Sequence, residues 1–253
     1  MGQLHTVDFV TRATSCFPVP TTLGAAVPRT DAAGYIAAIA EGFGTITADG
    51  SLTVTTPLLS TGSRMNDAKC DAAGRLWAGS CALDFAAAAG QVHVLDADLA
   101  ATTVLDGFTL PNGMGWSPTS DRFYLVDSIC RTISVWDYDL ASAQLTNKRT
   151  FTPFADDAGL PDGLCIDTDG FLWVAMWGGH QIIVLSPDGD RIRSIPLPVA
   201  QPTSCAFAGT NRDVLIVTSA RDNLGANATP ADGSVLAIYD TGSQGTPVPY
   251  FGG

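Results

Sequence analysis

Basic residues are scarce in this chain. It has two lysines, Lys69 and Lys148, against 24 aspartates and a single glutamate, Glu41. The formal net charge is −12 and the isoelectric point is about 4.3. Proteins that bind nucleic acid present a basic surface to the phosphates, so this charge balance argues against a nucleic-acid partner.

Long apolar runs and paired cysteine motifs are absent as well. No stretch approaches the ~18 apolar residues of a membrane span, and no segment at the N-terminus has the form of a signal peptide. We therefore expect a cytoplasmic protein with no membrane partner. None of the cysteines has C-x-x-C spacing, and we expect all six to be buried thiols of a reducing compartment: Cys16, Cys70, Cys81, Cys130, Cys165 and Cys205.

The common catalytic signatures are also missing. The three histidines are not arranged as H-E-x-x-H, and no G-x-S-x-G elbow occurs. His93 alternates with valines in a strand-like run and is interpreted as structural. His180 follows Trp-Gly-Gly in a loop and is a weaker candidate for the rim of a pocket.

No window sustains the periodicity of an amphipathic helix. Short β-rich runs such as RLWAGS, RFYLVDS and FLWVAMW are separated instead by Gly, Pro or Asp turns, which predicts an all-β fold. The stretch LDFAAAAG, residues 83–90, is the nearest approach to a helix. We expect it to form a loop or a single helical turn.

A polar position recurs where successive repeats begin. Asn66, Asn112, Asp162 and Thr203 each precede a short apolar strand, a turn and a second strand, at spacings of 46, 50 and 41 residues. An earlier copy begins at Leu23. Repeats of this length built from short strands are typical of β-propellers.

The expected architecture is one β-propeller domain over residues 1–253, with six blades of which the first is incomplete. The five full repeats cover 21–64, 65–110, 111–160, 161–201 and 202–253. Residues 1–20 supply about two strands. Either they complete the last blade, or one blade is short.

The first strand of each blade lines the channel of a propeller, so the recurring polar residues are expected to converge there. A single Asn or Asp next to Pro and Gly could be explained by its preference for turns. Its repetition in consecutive blades favours a metal or ligand site instead. Asn112 and Asp162 offer an amide carbonyl and a carboxylate, which suit a hard divalent cation such as calcium, magnesium or manganese. Arg64, two residues before Asn66, could offer a planar fork to a carboxylate or hydroxyl.

At these residues the sequence resembles the gluconolactonase, regucalcin (senescence marker protein) and luciferin-regenerating enzyme family. The matching strings are RMNDAKCDAAGRLWAGS, LPNGMGWSPTSDRFYLVDS, WDYDL, LPDGLCIDTDGFLWVAMWGG, LPVAQPTSCAFAG and DGSVLAIYD. They cover the chain from about residue 21 onward. The resemblance implies a six-bladed propeller that holds one divalent metal, which could be calcium, zinc, magnesium or manganese.

The resemblance also implies roles for individual residues. Asn112 and Asp162 match metal ligands, and Asp162 also matches the catalytic acid/base. Arg64 and Asn66 match substrate-contacting residues, and Asp84 lies where some members have an acidic substrate contact. The remaining ligand of the family is a glutamate in a GEGP-like string, which has no match in this sequence. A truncated sequence and a naturally shortened protein would both explain the difference.

The leading hypothesis is a metal-dependent hydrolase of small lactones, with a lactone or sugar-acid substrate. In this hypothesis the metal polarises the carbonyl and Asp162 transfers protons. A non-catalytic propeller with weak cation or sugar binding is the alternative from another class. An esterase or phosphotriesterase on the same site is a third possibility. We expect a monomer or a weak homodimer.

Overall fold

A computed structural model describes residues 1–253 of the chain, and its regular structure is almost entirely β. Twenty-one strands, β1 to β21 in chain order, account for that structure. The only helices are two short 3₁₀ turns at Asp156–Ala158 and Gly225–Asn227. No helix has the length and hydropathy that a membrane span requires. The prediction of an all-β fold is confirmed, and residues 83–89 between strands form a loop.

The chain divides into two compact units, and the first comprises Met1–Pro111 and Val248–Gly253. It contains a two-stranded sheet and two four-stranded sheets. All three are antiparallel, with strands adjacent in sequence paired. Their strands are β1 Gly2–Val7, β2 Thr14–Val19, β3 Leu23–Pro28, β4 Tyr35–Ile39, β5 Gly42–Ile46, β6 Leu52–Pro57, β7 Ser63–Cys70, β8 Leu76–Ala82, β9 Gly90–Leu95 and β10 Ala101–Phe108.

The second unit, Asn112–Pro247, contains two four-stranded sheets and one three-stranded sheet. Here too the strand order in each sheet follows the sequence. The strands are β11 Pro111–Trp116, β12 Arg122–Asp127, β13 Thr132–Asp139, β14 Gln144–Pro153, β15 Leu160–Ile166, β16 Leu172–Trp177, β17 Gln181–Leu185, β18 Arg191–Pro196, β19 Gln201–Ala208, β20 Val214–Ala220 and β21 Val235–Ile238.

These sheets have the β-propeller arrangement, with five blades rather than the six expected. Each predicted repeat from residue 21 onward corresponds to one sheet of three or four strands. Residues 1–20 form only the β1–β2 hairpin, which is too small for a blade, and the last sheet contains no strand besides β19, β20 and β21. The first 20 residues therefore do not complete the last blade. That residues 1–253 form a single domain stays a prediction.

Burial is high in the second strand of each four-stranded sheet. All residues of β8 except the last are buried, as are all of β16 except the last. The outer strands β6 and β18 contain no fully buried residue. Valine, leucine, tryptophan and alanine predominate in the central strands because both of their faces lie against other sheets or strands.

A buried aspartate supports the first turn in two of the sheets. Asp71, fully buried, accepts hydrogen bonds from the backbone N–H groups of Ala73 and Arg75, and its Oδ2 accepts from Trp77 Nε1 at 2.9 Å. The same contacts recur 96 residues later in the second unit, described below. Because the indole N–H of a core tryptophan needs an acceptor, this aspartate stabilises both the turn and the core.

The corresponding aspartate of the second unit is Asp167. Its Oδ1 accepts from the N–H groups of Asp169 and Phe171, and its Oδ2 accepts from Trp173 Nε1 at 3.0 Å. The spacing is D-x-x-G-x-x-W in both sheets. Trp77 and Trp173 are both fully buried.

The first unit also incorporates residues from far along the chain. Phe251 is fully buried in a cluster with residues of β4, β5, β7, β8 and β9. Its N–H donates to Pro28 O at 3.0 Å, and its carbonyl accepts from Thr30 N at 2.8 Å. Arg29 Nε donates to Gly253 O at 2.8 Å. The core of this unit is thus shared between residues before 111 and residues after 248.

Candidate functional site

The recurring polar position lies at a β-bulge in the first strand of the sheet. In β7 the pairing register shifts between Met65 and Ala68, which leaves Asn66 and Asp67 in the bulge. A bulge bends its strand and redirects side chains, which is why bulges often carry functional groups.

The second unit repeats this arrangement in two of its sheets. In β15 the register shifts between Pro161 and Leu164, around Asp162, and in β19 it shifts between Pro202 and Ser204, around Thr203. In these three sheets the position that the sequence repeat singled out is therefore one structural position, although its residue type changes from sheet to sheet.

Glycines after the polar residues allow the first strands of neighbouring sheets to approach closely. A Cβ on Gly113 would lie 2.4 Å from Asp162 O, and a Cβ on Gly163 would lie 2.2 Å from Ser204 Oγ. No larger residue fits such distances without moving the backbone. Gly113 thus allows Asn112 and Asp162 to lie on adjacent backbone segments within the second unit.

Asn112 is oriented by a buried hydroxyl. Its Nδ2 donates to Ser128 Oγ at 3.1 Å, and Ser128 is only 3% exposed. With the amide nitrogen used in this way, the carbonyl oxygen is the atom left to accept a hydrogen bond or ligate a cation. Asp162 adds a partly buried carboxylate on the next first strand.

Thr203 contributes a hydroxyl rather than a charge. Its Oγ1 lies 2.7 Å from Thr218 Oγ1, on the paired strand β20. The hydrogen bond between the two hydroxyls leaves this position polar and neutral. The three polar positions of the second unit thus supply an amide, a carboxylate and a hydroxyl.

In the first unit the structure brings Arg64 and Asn66 together. Arg64 Nη1 donates to Asn66 Oδ1 at 2.6 Å and to Met65 O at 3.1 Å. Asn66 Nδ2 donates in turn to Pro111 O at 3.0 Å. Arg64 is only partly buried and has no carboxylate partner in an ion pair, so its guanidinium has donors left for an anionic or hydroxylated group.

Asp67 is a polar residue of the same bulge that the sequence reasoning did not single out. Burial raises the pKa of its carboxyl group, and the nearby Lys69 lowers it in part. Oδ1 accepts from Ala68 N at 2.8 Å. The signal was present in the sequence as a second acidic or amide residue directly after Asn66, but a register shift was needed to place it in the bulge.

Asp84 lies in the loop between β8 and β9. This loop begins where Ala82 pairs with Ser63, so Asp84 and Arg64 lie at the same end of the sheet. Asp84 is exposed, and its Oδ1 accepts from Ala86 N at 3.1 Å. The carboxylate therefore contributes to its own turn.

The histidines make no pair that could act as a metal or catalytic unit. His93 is buried between Ser80 Oγ and Thr103 Oγ1, each 2.9 Å from a ring nitrogen. Burial lowers the pKa of His93 to about 4, so the ring is neutral at neutral pH. Its structural role, expected from the sequence, is confirmed. His180 is exposed in the β16–β17 turn, and His5 is exposed in the N-terminal hairpin.

Glu41, the single glutamate, lies in the turn between β4 and β5. Its Oε2 accepts from Thr21 Oγ1 at 2.9 Å, just before β3 begins. No group of three or more His, Cys, Asp or Glu side chains is arranged to hold a metal ion. The oxygen donors of Asn112 and Asp162 fit a hard divalent cation in type, and they supply two ligands.

The six cysteines form no disulfide bond. Four of them are buried: Cys70, Cys81, Cys165 and Cys205. Cys16 and Cys130 are exposed, so the expectation that all six are buried is wrong for these two. Both lie at exposed positions, in the N-terminal hairpin and in the turn after β12, where the sequence gives no burial signal.

The SMP-30/Gluconolactonase/LRE-like region model matches residues 1–221 of the chain. The chain belongs to this family. Regucalcin from Sus scrofa is 37% identical to it over 200 residues, which cover 75% of this chain and 67% of the pig protein. Regucalcin from Gallus gallus is 36% identical over 197 residues, covering 74% of this chain and 66% of the chicken protein. The match thus spans about two thirds of these relatives.

The family likeness extends to solved structures. A luciferin-regenerating enzyme superposes with a TM-score of 0.91 at 26% identity, covering 99% of this chain and 88% of the enzyme. A regucalcin from Agrobacterium tumefaciens, described as a calcium-binding protein, gives a TM-score of 0.91 at 25% identity and covers 98% of this chain and 86% of that protein. This family member therefore shares the fold of these two solved structures.

Proposed function

We propose that this protein hydrolyses small lactones with the help of a divalent cation. Family membership supports a lactonase-type activity. The observation within the chain that carries the proposal is the adjacency of the backbone at Asn112 and Asp162, which Gly113 permits because a Cβ at that position would lie 2.4 Å from Asp162 O. An amide carbonyl and a carboxylate on neighbouring strands are two hard oxygen donors for one cation.

Asn112 Oδ1 and the Asp162 carboxylate would hold the cation, and waters would complete its coordination. When bound, a divalent cation supplies Lewis-acid polarisation of the lactone carbonyl. Calcium, zinc, magnesium and manganese all remain candidates.

Asp162 would also transfer protons. Its carboxylate takes a proton from the attacking water as the water oxygen bonds to the carbonyl carbon, and it returns that proton to the ring oxygen as the ester C–O bond breaks. The net reaction converts a lactone and water into a hydroxy acid. A carboxylate at the bulge of β15 is suited to this role because its backbone is fixed by close packing on both sides.

In the first unit, Arg64 and Asn66 would orient the hydroxyl or carboxylate groups of a sugar-derived substrate. Their mutual hydrogen bond holds the guanidinium beside the amide. Asp84 would add an acidic contact from its exposed loop. These roles rest on the family resemblance.

One observation favours a second function, a non-catalytic propeller with weak cation or sugar binding. No three acidic, His or Cys side chains form a metal cluster, and Glu41 is bound in a turn. An esterase or phosphotriesterase on the same two donors is a further variant of the enzymatic proposal. A cytoplasmic location, as a monomer or weak homodimer, completes the proposal and is compatible with the absence of disulfides.

The experiment tests hydrolysis of a panel of sugar lactones, simple aryl esters and a phosphotriester. The rate is measured from the protons that hydrolysis releases. Chelator-treated protein is assayed alone and after addition of Ca²⁺, Zn²⁺, Mg²⁺ or Mn²⁺. We expect lactone turnover that depends on added cation and a lower rate on the other substrates. Cation binding without turnover of any substrate would support the non-catalytic propeller.

A further inference from the structure

Two cysteine side chains touch each other in the second unit. Cys165 in β15 and Cys205 in β19 are 40 residues apart in sequence, and their Sγ atoms are 3.6 Å apart. Cys205 Sγ also donates to Trp173 O at 3.1 Å. Cys165 is paired with Trp173 in the sheet register, so both cysteines adjoin the same residue.

The close approach of β15 and β19 explains this contact. Gly163 lies directly against Ser204, with its hypothetical Cβ 2.8 Å from Ser204 Cα. Cys165 and Cys205 follow these two residues along their strands. The sulfurs are therefore held together by the backbone packing, and the cost in side-chain entropy of bringing them into contact is small.

The other buried cysteines are less exposed and make no contact between sulfur atoms. Cys70 and Cys81 lie in the first unit and are 2% and 1% exposed, against 8% for Cys165 and 5% for Cys205. Burial raises the pKa of Cys70 to about 12, which suppresses its reactive thiolate form. Neither of these two makes the sulfur contact seen in the second unit. They serve as internal controls.

We propose that Cys165 and Cys205 form a redox modification site that a peroxide converts into a disulfide. One sulfur attacks a peroxide oxygen, the O–O bond breaks and water leaves, which gives a sulfenic acid. The second sulfur then displaces the hydroxyl group as water and forms the S–S bond. Two thiols and one hydrogen peroxide yield one disulfide and two waters, with the thiols oxidised and the peroxide reduced.

The cross-link would join two strands that each carry a bulge. Cys165 follows Asp162 by three residues on β15, and Cys205 follows Thr203 by two residues on β19. β15 and β19 belong to different sheets and share no backbone ladder. A disulfide would fix the spacing of these strands covalently and close a chain loop of 40 residues.

The test compares fully reduced protein before and after treatment with a slight excess of hydrogen peroxide. Intact mass should fall by about 2 Da, and a non-reduced digest should contain a cross-linked peptide pair with Cys165 and Cys205. Because a loop of this length is closed, the melting temperature should rise by about 5–10 °C and return after dithiothreitol.

Conservative variants locate the effect. Cys165→Ser and Cys205→Ser should each abolish the mass loss and the thermal shift, whereas Cys81→Ser should leave both unchanged. Since the wild-type measurement stands alone, a poorly folded variant does not affect the test. A wild-type protein that gains oxygen without losing mass, or that forms its cross-link through another cysteine, would overturn the proposal.

Discussion

The sheets β7–β10 and β15–β18 have the same hydrogen bonds at their first turn but different residues at the bulge of their first strand. In both, a buried aspartate at the first turn accepts from backbone N–H groups and from a tryptophan six residues later, through Asp71 and Asp167. At the bulge, however, the first sheet has Asn66 and Asp67, whereas the second has Asp162 followed by a glycine. The turn support is constant and the bulge chemistry varies. Stability and activity should therefore be separable by mutation within one sheet.

The largest expected effect comes from the bulge of the second sheet. Asp162→Asn retains the side-chain volume and removes the charge and the proposed base, so turnover of the best lactone should fall by about 10³-fold. The melting temperature should change little. Asp169→Asn, an exposed turn residue of the same sheet, is the matched control and should retain full activity. Activity of Asp162→Asn within a few-fold of wild type would remove this residue from the mechanism.

Removing the aspartate at the first turn should lower stability rather than activity. Asp167→Ala leaves the Trp173 indole N–H and two backbone N–H groups without their acceptor, which should cost about 3 kcal/mol of unfolding free energy. Asp71→Ala should lose a similar amount. Urea unfolding gives both values, with Asp169→Ala as the exposed control. A loss below about 1 kcal/mol in only one of the two sheets would show that the turn aspartate is not equally important in both.

Substitutions at and beside Asn112 on β11 test whether the cation site includes a residue outside the bulge of β15. Asn112→Ala should weaken cation binding by about 100-fold, and Ser128→Ala by about 10-fold because the amide loses its orienting partner. Isothermal titration calorimetry of Ca²⁺, Zn²⁺, Mg²⁺ and Mn²⁺ measures both without reference to activity. Unchanged affinity in Asn112→Ala would contradict the ligand assignment.

The smallest effect is expected in the first unit. Arg64→Ala should raise KM by about tenfold and change kcat by no more than about twofold, because an orienting contact acts equally in the ground and transition states. Arg221→Ala, at an exposed position, controls for loss of a positive charge. A decrease confined to kcat would indicate that Arg64 stabilises the developing oxyanion instead.

The strands and their order could be predicted because the chain alternates short apolar runs with Gly, Pro and Asp turns. The prediction of six blades was wrong because it counted residues 1–20 as part of a blade, whereas strand count per sheet is set by hydrogen-bond pairing that the sequence does not display. The aspartate–tryptophan bonds were missed, although the repeated D-x-x-G-x-x-W spacing at Asp71 and Asp167 was visible in the sequence.

For the candidate site, the sequence indicated the correct strand position but not its geometry. Asn112 and Asp162 recur at a fixed spacing, which identified them as equivalent. Their approach to each other depends on the packing of one first strand against the next, as at Gly113 and Asp162, and such contacts lie about 50 residues apart in sequence. Their roles, with those of Arg64, Asn66 and Asp84, stay predictions.

The burial of Phe251 has a consequence for biosynthesis. The hydrophobic cluster that includes β4, β7 and β8 is completed by a residue that the ribosome adds more than 150 positions after those strands. Until Phe251 leaves the exit tunnel, the first unit has an open place in its core and an incomplete set of backbone partners at Pro28 and Thr30. Native packing of the N-terminal unit therefore requires the C-terminal segment, and until that segment is made the exposed apolar surface favours non-native association of the nascent chain.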